Sequence, residues 1–348
     1  MNAELLEVLE CPACGSANLD CESFDGERVD VREGVVWCAH GHWFPIERRV
    51  LELLPPDVRY GEDRVAFRRR HAAALRRLEV RDDADDAPVA TAEPHLVHTQ
   101  QHHFDWYASD ERYNAYAAMP FWRVVDARTF RPWNETIQRH RVPSEAAPRL
   151  LDVGCAQGRS AALVAAGVRV IGFDISKRMV QQAYVNFETA GAGHSQHDFI
   201  VADGRRFPFR AGVFDYALVY GVLHHLPDPA AACHEIARVL ARGGRYFGSE
   251  NNATTFRAAF DLLQKLMPIW HEEAGAEPLI AKRDLERWFE GSGVTVETST
   301  TVLVPPHLVN VLGPTLGGAL LALADSIGTR LPWVRSQGGL ILIDGTKA

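Results

Sequence analysis

Three aspartates stand where short apolar runs end: Asp152 in Leu150-Leu151-Asp152-Val153-Gly154, Asp174 after Val170-Ile171-Gly172-Phe173, and Asp203 in Val201-Ala202-Asp203-Gly204. An ionised carboxylate only accepts hydrogen bonds, so Asp174, 20 residues after Gly154, suits a pair of ribose hydroxyls and Asp203 suits the amino edge of an adenine. Between the first two acids, Gly154-Cys155-Ala156-Gln157-Gly158 spaces two glycines for a loop whose backbone can approach a ligand beside a helix N-terminus. That loop lacks the G-x-G-x-x-G spacing of a pyrophosphate cradle, which disfavours a dinucleotide. One such acid would mean little, because Asp is common in turns and caps. Three at successive strand ends form a site.

A second set of reactive side chains lies at the N-terminus. Cys11-Pro12-Ala13-Cys14 is a C-x2-C knuckle, and Cys38-Ala39-His40-Gly41-His42 offers a second pair 24 residues beyond Cys14. Three thiolates and one imidazole make a closed, tetrahedral and therefore structural zinc site, the kind of staple a module too small for its own core requires. A reduced, metal-free knuckle is the plain alternative. A redox dithiol is disfavoured, because Cys11 does not open a helix after a strand.

The elements that must hold these groups follow from periodicity. From Arg149 onward strands and helices alternate: strand Leu150 to Val153, helix Arg159 to Ala166, strand Val168 to Phe173, helix Ser176 to Ala190 capped by Ser176, and strand Phe199 to Ala202. Strand Phe214 to Tyr220, helix Pro229 to Leu240 and strand Arg245 to Ser249 continue it, with Gly243-Gly244 as the turn. Consecutive βα units imply a doubly wound parallel sheet with helices on both faces. Helices near Phe256 to Leu266 and Lys282 to Phe289 precede two late strands, Val294 to Val304 and Leu340 to Asp344. Ahead of this domain the chain divides into a cysteine-held module at 1–56, a basic helix and acidic linker at 57–100, and a segment from 101 rich in Phe, Trp and Tyr. That aromatic segment suits a pocket lid or, equally, helices packing their aromatic faces on the domain.

Four blocks, LLDVGCAQG at 150, Phe173-Asp174, VADGRRFPF at 201 and FDYALVYGVLHHLPDP at 214 followed by EIARVLARGG at 235, resemble those of class I S-adenosylmethionine-dependent methyltransferases. The resemblance covers about 100–348 and implies an α/β fold, a Rossmann-like methyltransferase sheet, in the segment 101–348. It implies S-adenosyl-L-methionine as cofactor, with Asp152, Gly154, Cys155 and Gly158 around the methionine part, Asp174 and Ile175 at the ribose, Asp203 and Gly204 at the adenine, and Tyr220 nearby. It places His224 and His225 facing the methyl group, where a neutral imidazole suits removal of an acceptor proton. Capping the strand and bonding the Pro227-Asp228-Pro229 turn is the structural alternative for the pair. Glu250 is a further candidate, orienting the acceptor. The chain departs from the family at Ala156, where glycine is usual. The N-terminal module resembles a zinc ribbon found ahead of an rRNA guanine methyltransferase domain and in other fusions. By that match Cys11, Cys14, Cys38 and His42 bind Zn2+, with His40 and Cys21 as alternatives, and Phe44-Pro45-Ile46 and Leu54-Pro55 fit the ribbon's exit.

Composition selects among acceptors. The 348 residues are 47% hydrophobic and 24% charged, with net charge −8 and pI near 6.0, which argues against a whole-molecule positive field for nucleic acid. A small-molecule acceptor, methylated on oxygen, nitrogen or carbon, is the leading expectation; an RNA methyltransferase using the ribbon and the arginines of 64–81 is the alternative. A ribbon-bearing scaffold without activity conflicts with the intact strand-end acids. MNAELLEVLE has no basic start or long apolar centre, so a cytoplasmic chain is expected. The apolar stretch 308–324 contains Asn310, Pro314 and three glycines, so it is expected as a buried or pocket-lining segment and not a membrane span.

Overall fold

A computed structural model describes residues 1–81, 94–111, 119–139, 147–164, 167–193, 196–255, 257–266, 279–305 and 307–348. The acidic run 82–86, Tyr113 and Tyr116 lie outside the described residues. The chain forms two compact units, one of Met1–Trp106, Arg149–Val164 and Val168–Val213, the other of Tyr107–Pro148, Ala165–Gly167 and Phe214–Ala348.

In the first unit, β1 (Leu19–Glu27), β2 (Asp30–Cys38), β3 (Trp43–Glu47) and β4 (Val50–Glu52) pair antiparallel in sequence order. They are joined through β4 to a parallel set, β7 (His197–Val201), β6 (Arg169–Asp174) and β5 (Arg149–Val153), in the order β4-β7-β6-β5. Leu51 faces Ile200 and Glu52 faces Val201 in register, and Leu53 N–H donates to the Val201 carbonyl at 2.8 Å. The N-terminal module is therefore continuous with the sheet. Sequence periodicity cannot reveal this, because a three-residue strand carries no period.

Residues of β6 and β7 are buried along nearly their whole length, which is why those strands read as apolar runs and not as alternations. The helix α6 (Lys177–Thr189) covers them, started by the Ser176 hydroxyl accepting from Met179 N–H, the cap expected from sequence. Phe187 of α6 meets Phe199 edge-on at 4.8 Å, and Phe173 meets Phe207 at 5.0 Å. A short helix, α5 (Ala161–Val164), follows β5.

The arginine-rich stretch splits at His71 into α1 (Gly61–Arg70) and α2 (Ala72–Arg77) and packs on the ribbon's strands. Arg64 is buried, lies 3.6 Å over the Trp43 ring and donates to the Trp43 carbonyl at 3.0 Å. Arg70 pairs with Glu47, Arg77 with Glu22, and His71 lies 2.8 Å from Glu33. These cations meet the ribbon's own acids, which weakens the expectation of an RNA-reading face. The next helix, α3 (Pro94–Ser109), supplies Gln101 and Asp105 to this unit.

In the second unit, β8 (Phe214–Tyr220) runs parallel to β9 (Leu240–Asn251), followed by antiparallel β11 (Leu340–Lys347) and β10 (Val294–Thr301). Gly243-Gly244, expected as a turn ahead of the strand, lies inside β9 and disturbs its register: pairing jumps from Phe214 with Leu240 to Tyr216 with Arg245, and Gly243 has φ 73°. Three helices, α7 (Pro229–Val239), α8 (Arg257–Leu266) and α9 (Lys282–Trp288), belong to the unit with α4 (Pro120–Arg139) and α10 (His307–Gly328). Within the aromatic segment Phe121, Phe130 and Trp133 are buried, whereas Trp106 is exposed. In α4, Phe130 stacks on Tyr220 at 5.4 Å and Trp133 on Phe247 at 5.8 Å.

Helix α10 corrects the reading of 308–324 as a buried segment. One face packs on α4, with Val309 and Leu321 against Phe121, Val125 and Val302, while Leu308, Val311, Leu312, Leu316, Leu320 and Leu323 are exposed. The stretch is apolar all round and α4 meets one side of it. The helix, kinked at Gly313 with φ 78°, is long and apolar enough to cross a membrane by length and composition.

Candidate functional site

Asp152 is the penultimate residue of β5, Asp174 ends β6 and Asp203 stands two residues past β7, and each has a distinct environment. Asp152 is buried at 3% exposure, and its carboxylate accepts from the Ser160 hydroxyl. Burial raises its pKa to about 7, with Asp174's charge adding to the effect. Asp174 accepts from Ser176 N–H at one oxygen and from Ala156 N–H at the other, both at 2.9 Å, and burial raises it to about 6. Since a carboxylate has roughly four lone-pair sites, these backbone bonds leave acceptor capacity for a ribose hydroxyl. The residues thus fit the cofactor that the sequence motifs imply: buried acids that desolvation disfavours are stabilised by a cation such as a sulfonium or ammonium group.

The glycine loop is shaped by backbone as much as by side chains. Gly154, Ala156 and Gly158 all have positive φ, at 63°, 43° and 82°. A Cβ at Gly158 would come within 2.9 Å of the Phe187 ring, so glycine is required there by packing as well as by conformation. Ala156, the departure from the family pattern, holds the left-handed conformation because its N–H is drawn to Asp174. Cys155 is buried, its N–H donates to the Phe173 carbonyl at 2.9 Å, and burial pushes its thiol well up, so it is packing and not a nucleophile. The Ile175 carbonyl, beside Asp174, accepts from the Tyr60 hydroxyl at 3.2 Å.

Asp203 departs from the simple expectation. Its two oxygens accept from the N–H and Nε of Arg205 at 2.9 and 2.7 Å, and Arg205 reaches on to Asp57 at 3.0 Å. Gly204 makes the turn that allows this. A carboxylate so engaged keeps fewer lone pairs for an adenine amino group than the sequence implied. Ser160, Arg205 and Asp57 were not singled out from sequence. The i, i+2 spacing of Asp203 and Arg205 is the signal that could have found one of them.

In the second unit, Tyr220, placed with the cofactor by resemblance, donates its hydroxyl to Asp126 at 2.9 Å. His224 and His225 form one turn of 3-10 helix after β8, with ring centroids 4.0 Å apart. His224 Nδ1 lies 2.7 Å from Glu250, and the other Glu250 oxygen accepts from the N–H groups of Val222 and Leu223 at 2.9 and 2.8 Å. Glu250 is 1% exposed, and in this structure its carboxylate holds His224. A carboxylate partner assigns the proton to Nδ1 and leaves Nε2 as the basic nitrogen. The turn at 227–229 is held separately, by Asp228 accepting from Ala231 N–H at 3.0 Å.

At the N-terminus, the donor atoms of Cys11, Cys14, Cys38 and His42 all lie within 4.8 Å of one another. Cys14 Sγ is 3.8 Å from Cys38 Sγ, and His42 Nδ1 is 3.3 Å from Cys38 Sγ and 3.8 Å from Cys11 Sγ. A tetrahedron with metal–sulfur bonds of about 2.3 Å has edges of about 3.8 Å, so the set matches a single ion. Each knuckle is closed by backbone, Gly15 N–H to the Cys11 carbonyl and Gly41 N–H to the Cys38 carbonyl, both 2.8 Å. His40 touches Cys14 from outside at 3.4 Å, and Cys21 lies on β1, apart from the cluster.

Residues 151–248 match the family model of a methyltransferase domain. The chain is 36% identical over 108 residues to O-methyltransferase resE of Aspergillus sclerotiorum, covering 30% of this chain and 40% of that protein. It is 35% identical over 106 residues to the 27-O-demethylrifamycin SV methyltransferase of Amycolatopsis mediterranei, covering 30% and 39%. It is 33% identical over 109 residues to a ubiquinone biosynthesis O-methyltransferase of Aromatoleum aromaticum, covering 31% and 45%. The alignments thus span less than half the length of these relatives. Among solved structures, the YcgJ protein of Bacillus subtilis superposes with a TM-score of 0.43 at 20% identity, over 63% of this chain and 98% of that one. The stretch matched by the methyltransferase-domain model, 151–248, is the one that holds the glycine loop and the strand-end acids.

Proposed function

We propose that the protein transfers a methyl group from S-adenosylmethionine to a small-molecule acceptor. The observation that carries this reading is the placement of Asp152, Asp174 and Asp203 at the ends of β5, β6 and β7 around the Gly154–Gly158 loop. The bound cofactor would supply an activated methyl group on a good leaving group. Asp152 stabilises positive charge on the methionine part, and Asp174 fixes the ribose through its remaining lone pairs. Relatives named as O-methyltransferases support an oxygen acceptor. For such an acceptor His224 Nε2 takes the proton while Glu250 holds the ring through Nδ1.

The same reading gives the N-terminal cluster one structural zinc held by Cys11, Cys14, Cys38 and His42, supported by the mutual distances of the donors. Incubation with methyl-labelled S-adenosylmethionine and a panel of phenols, quinols and hydroxylated polyketides tests the activity. Label should appear in at least one oxygen methyl ether. Label confined to an RNA transcript would overturn the small-molecule reading.

A further inference from the structure

The chain leaving the ribbon, residues 52–60, touches two of the three loops that carry the strand-end acids. Tyr60 is the hub of the first contact. Its hydroxyl lies 2.9 Å from Asp105 of α3 and 3.2 Å from the Ile175 carbonyl, and it accepts from Lys177 N–H at 3.0 Å. Asp105 in turn accepts from the Ser176 hydroxyl at 2.6 Å and from Arg178 N–H at 3.1 Å, and Gln101 reaches the Ile175 carbonyl at 3.5 Å. Residues 175–178, directly after the ribose acid Asp174, are therefore held by side chains from outside their own βα unit. Burial beside Asp105 pushes the Tyr60 phenol well up, which keeps its proton available for donation.

Asp57 makes the second contact, accepting from Arg205 at 3.0 Å while Arg205 also binds both oxygens of Asp203. The segment is itself anchored at both ends. Tyr60 N–H donates to buried Glu52, the last residue of β4, at 3.3 Å. Val58 accepts from Gln101 and the Asp57 carbonyl meets His98, at 3.3 and 2.9 Å. Lys177 ties α6 to the same module through Asp63 at 2.7 Å and Glu47 at 3.1 Å.

We propose that Tyr60 and Asp57 are positioning residues for the cofactor, so that the ribbon's exit sets the ribose-binding and adenine-side loops instead of reading nucleic acid. This rests on the cofactor reading above. Two loops that must meet a ligand with fixed lone pairs gain affinity when their geometry is set in advance. Because the two residues act on different loops, their effects should add.

The test uses the full chain with its metal, S-adenosylhomocysteine as calorimetric probe, and the variants Tyr60→Phe, Asp57→Asn and both together. Each single variant should bind about fivefold more weakly, the loss expected of one buried hydrogen bond, and the double variant about 25-fold. Hydrogen exchange should quicken in the 174–178 amides of Tyr60→Phe alone, with or without the probe. Arg77→Ala, which breaks a ribbon contact remote from these loops, should bind as wild type. Wild-type affinity in both single variants, with a wild type that binds, would overturn the proposal. Unchanged 174–178 exchange in Tyr60→Phe would overturn it independently of any ligand. A wild type that fails to bind would remove the cofactor reading and this proposal with it.

Discussion

Asp152 is held where its charge is disfavoured, and the sign of its linkage to stability follows. In the unfolded chain it ionises near 3.8, as an ordinary carboxyl does, whereas the folded protein retains the proton up to about 7. Its contribution to stability is complete below the lower value and is lost as pH rises through the upper one. Asp152→Asn, neutral at every pH and still able to accept from Ser160, should therefore be more stable than wild type at pH 8 by about 1–3 kcal/mol. The difference should vanish near pH 4, as urea denaturation at both pH values would reveal. Its cofactor affinity should fall at pH 8, so the site exchanges stability for ligand binding. A second residue-scale expectation concerns His224. His224→Ala should keep cofactor affinity and lose roughly 100-fold or more in turnover of a hydroxyl acceptor. Full turnover in a folded His224→Ala protein would leave alignment alone as the source of catalysis. These acids were legible in sequence because each stands at or just past the end of an apolar run, and the histidine pair because it lies in the block that follows Tyr220. Their neighbours Ser160, Arg205 and Tyr60 were not, since hydroxyls and cations at loop starts are ordinary surface residues until a fold turns them inward.

At the scale of elements, the ribbon gains its importance from β4. This strand pairs with β7, so the cysteine cluster stands at one end of the sheet that carries the strand-end acids. The chain should hold about one zinc per molecule. Removing it by chelation, or substituting Cys38→Ser, should lower the unfolding midpoint of the whole first unit and not of the ribbon alone. A metal content below about a tenth of an ion per chain in protein purified without chelator would sink the metal assignment. A ribbon that melts separately, leaving the remaining sheet unchanged, would sink the coupling. The C-x2-C and C-x3-H spacing pointed to the cluster of Cys11, Cys14, Cys38 and His42 that the fold brings together, because the spacing of donors within a knuckle is local. It did not disclose that module and sheet are continuous, which depends on a pairing 149 residues away in sequence, Leu51 with Ile200. Helix α10 failed to follow its expected burial for a related reason: hydrophobicity on all faces tells how apolar a helix is, not how many partners it meets.

For the whole molecule, the alternation of strands and helices fixed the class of the fold, and the blocks at 150, 173, 201 and 214 narrowed it to a methyltransferase domain. What patterning could not carry is chemistry made of long-range contacts: the Glu250 carboxylate turned inward to His224, and the Asp57–Arg205–Asp203 chain. One relation is central to the proposed function: a ribose of S-adenosylmethionine held by Asp174. Calorimetric titration of S-adenosylhomocysteine into wild type and Asp174→Ala, at pH 7.5 and at pH 5, tests it most directly. Since Asp174 titrates near 6, wild-type affinity should be full at the higher pH and fall at the lower one as the carboxylate takes up a proton. Asp174→Ala should bind at least about tenfold more weakly at pH 7.5 and show a shallower fall toward pH 5, the part that remains being due to Asp152, as expected when two hydroxyls lose a charged acceptor. Equal affinity in a folded Asp174→Ala protein, or no binding to wild type at either pH, would contradict the account.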